Sequence, residues 1–175
     1  MPQDDIVLDP VDHITVDALG KPGQRIFYIQ AIKGTRKVTL IIEKIQLKSL
    51  LEGTNEFLDE IKKRFPELTE PEVSFQEDEM HIQPPGDSLF RAGDMGLAYD
   101  EIRDLACIFA SEAQLSGEER RMARFWCSRA QLIAFARWGT IVVQQGRPIC
   151  PQCGQPMEPE GHFCPKKNGH KHGNK

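Results

Sequence analysis

The feature that most constrains this chain lies near its end. It reads Cys150-Pro-Gln-Cys153-Gly, then His162-Phe-Cys164, then His170. A Cys-Pro-x-Cys-Gly turn brings two thiolates to one point, and its glycine lets backbone N–H groups approach the sulfurs. A tetrahedral ion then needs two more soft or borderline ligands, and Cys164 is one. The spacing therefore predicts a structural zinc site on Cys150, Cys153, Cys164 and a histidine. His162 is two residues from Cys164 on an extended segment, shares its face, and lies inside the loop the metal would close, so it is the preferred fourth ligand. His170 gives Cys-x5-His and is the alternative, although it sits in a glycine- and lysine-rich end expected to fray. Three thiolates and an imidazole leave no open position, which argues for a structural rather than a catalytic ion.

The rest of the 175 residues is expected to form an α+β body over 1–145, followed by a zinc knuckle and basic tail over 146–175. His13 to Gly20 alternates apolar and polar residues as a half-buried strand does. Gly20-Lys-Pro-Gly23 turns the chain, Ile26 to Ile32 is rich in β-branched and aromatic residues, and Val38 to Ile42 makes a third strand. A helix from Glu43 to Phe65 carries Leu47, Leu50, Leu51, Thr54, Leu58 and Ile61 on one stripe. Gly53 lies inside it at a cost of about 1 kcal/mol relative to alanine. Residues 67–88 are acidic and proline-bearing and read as a linker or surface excursion, with a short edge strand near Val73 to Phe75.

The plan then repeats. Strands are expected over Phe90 to Tyr99, Leu105 to Ala110 and Met122 to Cys127, with a helix from Ser128 to about Gln145 opened by a Ser128/Gln131 capping box. A shift of 85 superposes the two helical stripes and puts Gln46 on Gln131. The expected architecture is thus two βββα units, 12–66 and 89–145, arising by internal duplication, with a mainly antiparallel sheet and two packed helices.

Composition narrows function mostly by exclusion. No apolar run approaches a membrane span, and the acidic start lacks the apolar core of a signal peptide. A cytoplasmic setting is expected, where cysteines serve metals or cores rather than disulfides. The net charge of −4 disfavours nucleic acid as a partner without excluding it. The first hundred residues carry 11 basic and 19 acidic side chains and the remainder 11 and 7, so a basic face near Arg121, Arg124 and Arg147 could meet a phosphorylated ligand. Cys107 and Cys127 sit among apolar residues and read as core. No P-loop, nucleophile elbow or dinucleotide fingerprint is present.

Several stretches together resemble a known family: Gly20 to Ala31, Glu43 to Gln46, Phe90 to Leu97, and Gly146-Arg147-Pro148 leading into the Cys-Pro-x-Cys turn. It is an uncharacterised bacterial domain-of-unknown-function family, mainly actinobacterial and chloroflexal. The resemblance covers most of the chain outside 67–88 and brings no catalytic residues. It implies, by gene association with a phosphoinositide-kinase-like and a histidine-phosphatase-like protein, a role near phosphoryl chemistry. Two expectations follow. The first is a non-enzymatic binding or adaptor protein with a structural zinc, its partner a protein or a phosphorylated ligand. The second is an enzyme of unrecognised type using Arg25, Glu43 and His13 in a pocket between the halves.

Overall fold

A computed structural model describes residues 5–114, 119–146, 150–155, 157, 162–167 and 171–172. Strands β1 (Ile6–Leu8), β2 (His13–Leu19), β3 (Ile26–Lys33) and β4 (Arg36–Ile42) precede helix α1 (Lys44–Arg64). A single-turn helix α2 (Glu77–Met80) follows, then β5 (Phe90–Asp100), β6 (Leu105–Glu112), β7 (Met122–Ser128) and helix α3 (Arg129–Gln144). The tail holds β8 (His162–Phe163) and β9 (Lys171–His172), paired antiparallel on either side of a short helical turn at Pro165–Lys167.

The body is α+β, with one seven-stranded sheet in the order β1-β7-β6-β5-β4-β3-β2. The sheet is mixed rather than mainly antiparallel. Hairpins give the antiparallel pairs within β2–β4 and within β5–β7. The β4-to-β5 connection instead runs through α1, and a crossover of that kind delivers the next strand parallel to the last. The short β1, for which no periodicity speaks, pairs parallel with β7.

β1 and β2 are consecutive in the chain yet lie at opposite ends of the strand order. The residues between them join those ends: Val11 N–H donates to Trp126 O of β7, and the next residue, Asp12, donates its N–H to Ile32 O of β3, each at 2.8 Å. The sheet therefore curls until its edges meet. Strands separate at two seams. β4 pairs with β5 only through Leu40 and Ile41, and β7 pairs with β1 through three residues before the chain swings to β2. α1 leaves β4 and packs along β5; α3 leaves β7 and packs along β2.

The two helices begin alike. Glu43 N–H donates to Gln46 Oε1 at 2.7 Å, and Ser128 N–H donates to Gln131 Oε1 at 2.9 Å, so each glutamine satisfies one of the backbone groups a helix start leaves unpaired. Each then spends its amide N–H on the chain entering the neighbouring strand: Gln46 on Ala92 O and Gly93 O, Gln131 on Val11 O and Asp12 O. Leu47, Leu50 and Leu51 of α1 and Leu132, Phe135, Ala136, Trp138 and Val142 of α3 enter one core with Val16, Ile29, Leu40, Ile108 and Phe125.

Residues 67–88 are not a linker, and Val73 to Phe75 is not a strand. The segment follows α1 and passes the start of α3, where Arg129 donates to Thr69 O. It then crosses the sheet strand by strand. Met80 is buried and its carbonyl accepts from Thr15 Oγ1 of β2; Gln83 exchanges hydrogen bonds with Gln30 of β3; the Pro84 carbonyl accepts from Lys37 of β4. Its acidic composition hid this, because its apolar contacts, Val73, Phe75 and Met80 against the core, are few and many of its bonds run from its backbone to polar side chains on the strands.

Candidate metal centre

In the tail, Cys150 N–H donates to Gln155 O and Gly154 N–H to Cys150 O, both at 2.9 Å, closing a tight turn around the first two cysteines. Gly154 has φ +74°, a left-handed conformation that glycine adopts without steric cost. β8 then carries His162 past this turn and delivers Cys164 behind it. Cys150 and Cys164 are almost fully buried.

The ligand atoms of Cys150, Cys153, His162 and Cys164 all lie within 4.8 Å of one another. Cys150 Sγ and Cys164 Sγ are 3.9 Å apart, and Cys153 Sγ is 3.1 Å from His162 Nε2. For comparison, metal–sulfur bonds of about 2.3 Å at tetrahedral angles place two sulfurs roughly 3.8 Å apart. Backbone N–H groups of Cys153 and Gln152 point at the Cys150 sulfur and lower its pKa, as expected where a thiolate is to be held. Burial raises that of Cys153. The four residues are close enough to hold a metal ion, and the donor set suits one. His170 lies outside the described residues, as does Arg147.

The other residues singled out from sequence do not assemble. His13 pairs with Ile32 at one end of the β2–β3 hairpin, and Leu19 pairs with Ile26 at the other. Arg25, adjoining Ile26, is therefore about 20 Å from His13 at a strand rise of about 3.4 Å per residue. Arg25 donates to Val142 O at 3.0 Å and lies over the Phe27 ring, a cation at the C-terminal end of α3, where the helix dipole favours it. Burial lowers its pKa, with Asp17 opposing. Glu43 precedes α1 and pairs with Arg91.

Four arginines of the second half have carboxylate partners. Arg120 pairs with Asp94, Arg121 with Glu112, Arg124 with Asp5 and Arg129 with Asp104. Cys107 and Cys127 are core residues whose thiols burial pushes up to about 11 and about 12, so they stay protonated and inert.

One pairing had no signal in the sequence. Asp17, 5% exposed, accepts from Ala18 N–H, from Ile82 N–H and from His81 Nδ1 at 2.9 Å. The His81 ring also packs edge-on against Trp138 of α3. Asp17 lies 64 residues from His81 and 65 from Ile82 along the chain, which is why strand alternation alone marks Asp17 as solvent-facing.

A family model described as a protein of unknown function (DUF3090) matches residues 6–164. No curated protein matches the chain, and no solved structure does.

Proposed function

The chain belongs to the family of proteins of unknown function described as DUF3090, and from that premise we propose that it is a non-enzymatic binding or adaptor protein whose C-terminal knuckle is held by a structural zinc ion. The observation that carries the reading is the convergence of Cys150, Cys153, His162 and Cys164 within 4.8 Å. Three sulfurs and one imidazole fill a tetrahedron and leave no position for substrate. A segment this short buries little apolar surface. Zinc binding, worth about 10–16 kcal/mol in comparable zinc-finger peptides, would supply most of its folding energy. Thiolate ligands of this kind suit a reducing cytoplasm.

The partner is read as a protein segment in preference to a phosphorylated ligand, because Arg120, Arg121, Arg124 and Arg129 already have carboxylate partners. The enzyme reading loses its carriers, since Arg25 and His13 stand at opposite ends of one hairpin. The repeated order of three strands and a helix, with Gln46 and Gln131 in matching roles, supports an origin of the body by internal duplication.

Elemental analysis of protein purified without added metal tests the zinc. One zinc per chain is expected; none, or iron in its place, overturns it. The binding half is tested by using the metal-loaded full chain as bait in a native lysate. A partner retained in stoichiometric amount and confirmed with purified components is expected. Turnover of a small molecule by the purified chain would overturn it.

A further inference from the structure

The two seams of the sheet are built alike but finished differently. At the α3–β2 seam, a cavity of about 230 Å³ is lined on the helix side by Ala130, Gln131 and Ala134 and on the strand side by Asp12, His13 and Ile14. Its remaining wall is the chain itself: Glu72 to Phe75 run past it in extended conformation, and Glu79 and Met80 close it. One step on, His81 packs against Trp138 and binds Asp17. This seam is covered by a segment of the same polypeptide, extended over 72–75 and helical over 77–80.

At the α1–β5 seam a larger cavity, of about 400 Å³, is lined by Gln46, Ser49, Leu50 and Gly53 of α1, residues spaced at one helical face, and by five consecutive residues of β5, Gly93 to Leu97. Five residues in a row can line it because β5 is irregular between Ala92 and Met95 and because Gly93 and Gly96 leave the backbone bare. The edge is open because β4 pairs with β5 only as far as Arg91. Beyond it, the Gln46 amide takes Ala92 O and Gly93 O, and Phe57 and Phe65 pack on Tyr99 at the far end. No other described segment crosses between.

The shift of 85 that puts Gln46 on Gln131 puts Gly53 on Trp138. The position filled by the largest side chain at the covered seam is thus a glycine at the open one. A Cβ at Gly53 would meet nothing within 4 Å. Glycine there costs the helix about 1 kcal/mol relative to alanine, and no packing requirement explains it.

We propose that the α1–β5 groove binds an extended peptide segment of a partner protein, as an extended stretch of this chain, residues 72–75, lines the matching groove. Three features define the occupant. Beyond Gly93, whose carbonyl Gln46 takes, and Asp94, whose main-chain groups bond Ser111, β5 has no strand partner on the α1 side and can receive another extended main chain. The absent side chain at Gly53 leaves room beside α1. The mainly apolar walls select small or aliphatic side chains on alternate residues. About five residues of β5 at roughly 3.3 Å each set the length read. The inference rests on the binding-protein reading and gives that reading its surface.

The test uses the full metal-loaded chain and a phage-displayed library of random linear peptides. Peptides enriched on the wild type should carry alternating aliphatic residues and should slow amide exchange in residues 93–98. Their affinity should fall about tenfold or more on Gly53→Leu, which fills the groove, and change little on Gly53→Ala. Gly53→Leu should melt no lower than wild type, so the loss would not be one of folding. Peptides that bind Gly53→Leu as well as wild type, or protect other strands, overturn the groove while leaving the binding-protein reading in place. Enrichment of no peptide overturns the groove, while the lysate experiment still decides the wider reading. A concentration-dependent dimer abolished by Gly53→Leu also overturns the proposal, because the occupant is then a second copy.

Discussion

Gly139 of α3 stands so close to Leu51 of α1 that a Cβ at Gly139 would lie 2.7 Å from Leu51 Cδ2 and 3.2 Å from Val16 Cγ1. Leu51 and Val16 are both core residues, so neither moves without disturbing its neighbours. The helices cross at this glycine, and their approach fixes how the two halves of the body meet.

Gly139→Ala is therefore expected to destabilise the protein by about 1–3 kcal/mol, the usual cost of overpacking, although alanine is the better helix former. Gly53→Ala, with open space around it, is expected to stabilise by up to about 1 kcal/mol. Urea unfolding of the two variants side by side checks both signs. A stabilised Gly139→Ala would show that the helices do not pack as described.

The Asp17–His81 pair holds the crossing segment against β2. Asp17→Asn removes a buried carboxylate that accepts from three donors and should cost about 1–3 kcal/mol. His81→Ala should cost less, because its ring is half exposed. Amide exchange should accelerate over residues 76–84 in both variants, and unchanged protection there would refute the latch.

Arg121 bonds Glu112 through two nitrogens and holds its carboxyl below the ordinary carboxylate range. The folded chain then keeps Glu112 ionised at a pH where the unfolded chain protonates it. This contribution is complete above the unfolded value, about 4.3, and is lost as pH falls through the lowered folded value. Glu112→Gln should flatten the stability profile in that acid window. Denaturation midpoints measured from pH 6 downward should diverge least at the lowest pH.

The histidines of the tail are separable. If His162 is the fourth ligand, His162→Ala opens a coordination position and weakens zinc affinity strongly, whereas His170→Ala changes it little. Competition against a chromophoric chelator must be run at constant pH, because protons compete for the same ligands. A greater loss from His170→Ala would reverse the assignment.

Local signals were enough for nearly every element of the body. Apolar alternation marked β2, β-branched and aromatic content marked β3, short apolar runs between turns marked the strands up to β7, the leucine stripe marked α1, and the Ser128/Gln131 box marked the start of α3, each within a residue or two of its observed end. The closeness of Cys150, Cys153, His162 and Cys164, which lie near enough to hold a metal ion, was legible because such spacing is itself a local property. Such signals work where the stabilising partners lie within a turn or a hairpin of one another. Tertiary structure decided the rest: β1 on β7, the closure through Val11 and Asp12, the passage of residues 67–88 across the sheet, the pairing of Asp17 with His81, and the carboxylate partners of Arg120, Arg124 and Arg129. Each depends on groups dozens of residues apart, and an acidic segment that binds through its backbone and a few scattered side chains carries no periodicity to announce it. The same holds for Gly53. In sequence it is a helix-weakening residue without a reason; only the fold sets it opposite the open edge of β5, where the missing side chain becomes space.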